Sequence, residues 1–320
     1  MMSRLKLFHI VMLLMFFLGM LNLSCKSPVP KETEILPDTL KYVLKIEVDY
    51  EQEKIFSECA LTVKNPSGEP IDTVPLILYR LLDVTSVTDK QGKDLPYSQN
   101  VVKYTDWEQL QVNSIRVRLS PRLASGETQT LVIRYQGPLL GYSEVMRYVK
   151  DHIDKEYTVL REDCRTYPEV GIPSWKANRG KVLQSFDYKA SITVPDPLIV
   201  ANGGELTEKT ESDGKITYTY QSLVPSWRMD FTIADYEILE DKTEKIRIFC
   251  FPQDKTGALN LLGNLLKTME LYTGWFGPLK VFGGLTVIEI PEGYGSQADV
   301  ATILQEESAF KSPDSHYGFY

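Results

Sequence analysis

Histidine is nearly absent: the 320 residues hold only three, His9, His152 and His316. A catalytic zinc ion needs about three protein ligands and an open position, and helical sites supply two histidines one turn apart. No two histidines here have that spacing, in His-Glu-x-x-His order or its inverse, so the chain as written carries no complete zinc set. His152, in His152-Ile153-Asp154-Lys155-Glu156, reads as part of a solvated loop. Cysteine is also scarce, with four in all. Cys59, Cys164 and Cys250 fit neither a zinc knuckle nor a CxxC redox pair, and Cys59 and Cys250 lie in strand-like patterns, which predicts buried thiols. No basic run stands out against a net charge of −8, so no nucleic-acid partner is expected. A Gly-x-Ser-x-Gly elbow and a phosphate-binding glycine loop are both missing.

What is present begins with an export signal. Residues 1–24 carry Arg4 and Lys6 and then an apolar run from Leu7 to Leu23, broken only by His9 and Asn22. Cys25 follows Ser24, and the composition then turns polar and proline-bearing. This resembles a bacterial lipoprotein signal, which implies a lipidated Cys25 and a membrane contact through that lipid. Asn22 and Leu23 depart from the usual pattern, and an uncleaved anchor is the competing reading. Both place the body in the cell envelope, facing away from the cytoplasm. Residues 25–37 read as a tether.

From residue 38 to 240 the pattern is one of strands. Tyr42, Leu44, Ile46 and Val48 alternate with polar neighbours. Similar runs are Ile115-Val117-Leu119, Leu131-Ile133-Tyr135, Phe186-Tyr188-Ala190-Ile192-Val194, Ile216-Tyr218-Tyr220 and Met229-Phe231-Ile233. Turn signals such as Asn65-Pro66-Ser67-Gly68, Asn202-Gly203-Gly204 and Asp213-Gly214 separate them. The fold class expected is mainly β, a large antiparallel sandwich or saddle, with Met146 to Gly180 as loops at one end.

Residues 241–320 change character. After a strand from Lys245 to Phe251, Asp254 or Thr256 caps a predicted helix whose inward face is Leu259, Leu262, Leu266, Met269 and Leu271. Gly277-Pro278 stops it. A buried strand, Gly284 to Ile290, breaks at Pro291 and opens into a loop containing Gly293 and Gly295. Such a loop is a binding edge or an ordinary turn.

The order of these elements resembles the N-terminal part of the M1 family of zinc aminopeptidases, over roughly residues 40 to 310. The resemblance is carried by Tyr42 to Asp49, by Phe186 to Pro195 with Val200-Ala201-Asn202-Gly203, by Pro225 to Tyr236, and by the helix ending at Trp275-Phe276-Gly277-Pro278. It implies that residues 241–320 begin a thermolysin-like α/β peptidase domain, with zinc as cofactor and peptides as substrates. The substrate-binding loop would comprise Gly293, Gly295, Ser296, Gln297, Ala298 and Asp299. Ala298 stands where the family carries the glutamate that holds a substrate's free amine, which leaves Asp299, Glu306 or Glu307 to supply a carboxylate. In the family the zinc motif follows this loop, so two readings stay open. One is a partial peptidase sequence lacking its metal site. The other is a non-catalytic lipoprotein that uses the β domain for binding or as a scaffold.

Overall fold

A computed structural model describes residues 35–179, 184–278 and 283–311. The signal, Cys25, most of the tether and His316 lie outside the described residues. Strand alternation governs the first two thirds of what remains. In β1 (Asp38–Asp49) the side chains of Tyr42, Leu44, Ile46 and Val48 are buried, and their neighbours face outward. β1 lies inside a seven-stranded sheet with β2 (Lys54–Lys64), β4 (Asp83–Asp89), β7 (Thr128–Pro138), β10 (Asp187–Pro195), β12 (Glu205–Ser212) and β13 (Lys215–Gln221). Its order is β12-β13-β10-β1-β2-β7-β4, antiparallel except for the parallel pair β1 and β10.

A four-stranded sheet contains β3 (Ile71–Tyr79), β5 (Tyr97–Lys103), β6 (Gln111–Leu123) and β9 (Glu169–Val170), in the order β5-β6-β3-β9. The inner faces of these two sheets share one apolar core, to which Ile115, Val117, Leu131, Ile133, Ala190 and Ile192 all contribute. The turn at Asn65 is fixed by its own side chain: Nδ2 donates to the carbonyls of Glu69 and Leu123, at 2.8 and 2.9 Å. A small third sheet joins β8 (Thr158–Leu160), β11 (Ile199–Ala201) and β14 (Phe231–Ala234).

The expectation for Met146 to Gly180 needs correction. This segment contains β8, β9 and a short helix α1 (Trp175–Arg179), and Asp151, Arg161, Arg165 and Thr166 on it are buried. Its middle, residues 157–171, is mostly buried, and the charged side chains there pair with one another, with Asp151 and with the distant Arg228.

The remaining strands form a mixed five-stranded sheet. It comprises β15 (Glu237–Asp241), β16 (Ile246–Cys250), β17 (Leu285–Ile290), β18 (Gln297–Ala298) and β19 (Thr302–Glu306), ordered β15-β16-β17-β19-β18. The three central strands run parallel. Helix α2 (Lys255–Phe276) covers one face, together with the short α3 (Ser308–Lys311). The other face packs on Tyr157, Val159, Ala201 and Ala234 from the first part of the chain. β17 therefore meets a core on each side: Val287 faces the helix, and Ile288 and Ile290 face the sandwich. That is the physical reason for its nearly continuous apolar run.

The predicted helix face is also corrected. Gly257, Ala258, Leu261 and Leu265 are buried, Leu262, Leu266 and Met269 are half-buried, and Leu259 and Leu271 are exposed. Gly257 sets this rotation. A Cβ there would stand 1.5 Å from the Phe310 carbonyl oxygen, so only glycine lets α2 approach α3 so closely. Asp254 occupies the N-cap position without making a capping bond. Cys59, Cys164 and Cys250 are free, buried thiols. Among the described residues no helix is long and apolar enough to cross a membrane.

Candidate functional site

The loop after β17 is built by two glycines and one carboxylate. Gly293 and Gly295 take φ of +82° and +75°, in the left-handed region that glycine alone enters without strain. In that conformation both amides point inward and donate to Glu306 Oε1, at 2.9 and 2.8 Å. The Glu306 amide donates in turn to Ser296 Oγ at 3.1 Å. Gln297 and Ala298 then pair with Leu304 and Ile303 as the edge of the mixed sheet.

Two guanidinium groups from the first part of the chain hold this loop. Arg161, fully buried, donates through Nη1 to the Tyr294 carbonyl at 3.1 Å, while Nε and Nη2 grip Asp151. Burial pushes the Asp151 carboxyl up, against the pull of Arg161. Arg228 donates to Gln297 Oε1 at 2.7 Å, to Asp163 at 2.6 Å and to Asp230 at 2.6 Å. Gln297 completes the ring by donating to Asp163 at 2.9 Å. Burial acts to raise the Asp163 carboxyl, but Arg228 and Arg161 outweigh it and hold its pKa below the usual value.

The six loop residues therefore have distinct environments. Gly293 and Gly295 shape the turn, Ser296 ties it to β19, and Gln297 joins it to Arg228. Ala298 is exposed and carries no polar group. Asp299 accepts a hydrogen bond from Ser226 Oγ through Oδ2, and its Oδ1 is buried without a partner. Burial raises the Asp299 carboxyl. The carboxylates considered as replacements at the Ala298 position are all engaged: Asp299 by Ser226, Glu306 by the glycine amides, and Glu307 by Lys311 at 2.7 Å.

His152 is half-buried against this loop rather than in a solvated one. Its Nδ1 lies 2.7 Å from the Lys150 carbonyl and 3.2 Å from the Tyr294 hydroxyl. Sequence reasoning missed Asp151, Arg161, Asp163 and Arg228 altogether. The single signal available was a high density of charge in a segment without periodicity. Among the described residues no cluster of three or more histidine, cysteine, aspartate or glutamate side chains is placed to hold a metal. These residues do not fit a zinc centre.

No family model matches the sequence, and no curated protein matches it. Solved structures do. An M1 zinc metallopeptidase from Deinococcus radiodurans superposes with a TM-score of 0.61 at 17% identity, over 88% of this chain and 62% of that one. A two-domain M1 zinc metallopeptidase variant bound to L-arginine gives 0.61 at 17% identity, over 86% and 61%. The chain thus spans about three fifths of the length of the structures it matches, 61% in the first of them. At 17% identity the likeness is one of fold: a mainly β chain, with a sandwich and a mixed sheet arranged as in part of an M1 zinc metallopeptidase.

Proposed function

We propose that this chain is the substrate-side portion of an M1-like zinc aminopeptidase, tethered to the cell envelope through a lipid on Cys25. The observation that carries this reading is the shared fold, in which sandwich and mixed sheet occur together across most of the chain. In such an enzyme the edge strand Gln297–Ala298 would lie along a peptide substrate, with unpaired backbone groups available to it. Arg161 and Arg228 would fix the position of that edge from the sandwich side. The described residues supply no cluster of side chains placed to hold a metal, so no hydrolytic step is assigned to them.

The competing reading is a non-catalytic binding or scaffold lipoprotein of the same fold. It is favoured by Ala298, and by the engagement of Asp299, Glu306 and Glu307, the carboxylates that would otherwise stand in for the missing glutamate. The reading frame beyond the Tyr320 codon separates the two. A His-Glu-x-x-His motif within a few dozen codons, with zinc and aminoacyl hydrolysis in the encoded protein, supports the peptidase. A stop codon in an intact, expressed gene sinks it. Intact mass of the membrane-extracted protein tests the tether: retention of residues 1–24 with an unmodified Cys25 would refute it.

A further inference from the structure

A cavity of about 210 Å³ lies in the sandwich part, and no residue of the glycine loop lines it. Its aromatic lining is Tyr42, Tyr167, Phe186, Trp175 and Trp227. Tyr42 sits edge-on to Tyr167 and to Phe186, with ring centroids 5.5 and 4.7 Å apart, so this wall is rigid. A cavity of roughly 150 Å³ holds benzene, so this one accommodates a group the size of a long side chain.

The same cavity is lined by three charged residues, Glu162, Arg165 and Glu169. Arg165 is committed to Glu169 Oε2 and lies 3.9 Å from Glu162, beyond hydrogen-bond reach. Glu169 Oε1 is buried with no hydrogen-bond partner. Two carboxyl groups therefore share one guanidinium, and one oxygen of Glu169 is left buried without a partner. Burial raises both carboxyls despite Arg165, Glu169 to about 8, and a cation bound beside them would favour their ionised forms. Aromatic faces around a carboxylate attract a cation through the ring quadrupole as well as by charge. An anion would instead meet carboxylates, with the only guanidinium among the lining residues already taken.

We propose that this cavity binds an organic cation, a primary ammonium on an apolar chain or ring, with Glu162 taking the charge and the aromatic side chains enclosing the apolar part. The site requires neither a metal nor the glycine loop, so it stands or falls separately from the peptidase reading.

Benzylamine, benzyl alcohol and benzoate are suitable probes, followed by the fluorescence of Trp175 and Trp227 and by calorimetry on the 320-residue chain. Benzylamine is expected to bind, benzyl alcohol at least about tenfold more weakly, and benzoate not at all. Glu162→Gln, at a partly exposed position, should weaken benzylamine about tenfold while leaving benzyl alcohol unchanged. Trp175→Ala, at a side chain 38% exposed, should weaken both amine and alcohol without unfolding the protein. No benzylamine binding at millimolar concentration overturns the proposal. Equal affinity for the three probes, or unchanged amine affinity in Glu162→Gln, does so as well.

Discussion

Arg161 and Asp151 form an ion pair at 2.8 Å in which neither side chain has any exposed surface. Arg161 also reaches the Tyr294 and Tyr148 carbonyls, so one guanidinium ties the interior of the sandwich part to the glycine loop. Desolvating both ions is costly, and their attraction offsets that cost only while both are present.

Removing one partner should therefore be far worse than removing both. Asp151→Ala is expected to lose about 3–5 kcal/mol in urea unfolding, because Arg161 stays buried without its counter-ion. Asp151→Leu combined with Arg161→Met should lose clearly less. Equal losses in the two variants would show that the pair has no special role.

The glycine loop gives a local prediction. Glu306→Ala removes the acceptor shared by the Gly293 and Gly295 amides. Hydrogen exchange over residues 291–298 should become faster, with a global loss of about 1–3 kcal/mol. Unchanged protection in that peptide would mean that the glycines hold the loop without Glu306.

Two glycines of α2 should respond with opposite sign to alanine. At Gly263 nothing lies within 4 Å of an added Cβ, so Gly263→Ala should gain up to about 1 kcal/mol from helix propensity. At Gly257 the same change collides with the Phe310 backbone and should destabilise, with α3 displaced. Thermal unfolding of the two variants side by side checks the sign; stabilisation of both would remove the close approach as the reason for Gly257.

Stability should also depend on pH in a stated direction. Glu289 is fully buried on β17, and burial, with Asp254 adding to it, pushes its carboxyl up to about 8. The folded chain then holds a proton that the unfolded chain, with a glutamate pKa near about 4.3, has lost. That contribution is complete below the unfolded pKa and disappears as pH rises through about 8. Glu169 acts in the same direction. Stability should fall by up to about 1.4 kcal/mol per pH unit for each such proton between roughly pH 5 and 8. Glu289→Gln should flatten the fall, and identical profiles for the two proteins would rule out Glu289 as a source.

How much of this was legible depends on how local each signal is. Tyr42 to Val48 and Phe186 to Val194 announce their burial by alternation, since a strand's two faces are written into adjacent residues. Gly293 and Gly295 mark a turn because few other residues adopt that backbone. What the turn wraps around, Glu306, carries no such mark. The pairing of Arg228 with Asp163 spans 65 positions, and each charge on its own reads as solvated. Helix α2 was displaced in reading because leucines dominate its pattern, whereas its buried face is Gly257, Ala258, Leu261 and Leu265, turned by the close approach of α3 at Gly257.

The parallel contact between β1 and β10 bears on how the chain comes off the ribosome. β1 is among the first described segments synthesised, yet one of its two hydrogen-bonding neighbours is residues 187–195. At roughly 5–20 residues per second, that edge of β1 stays open on the order of ten seconds during translation. β2 can pair with the other edge almost at once, because a short turn joins the two strands. A nascent chain arrested before Asp187 would thus present β1 as an unprotected edge, the arrangement on which strands from other molecules add.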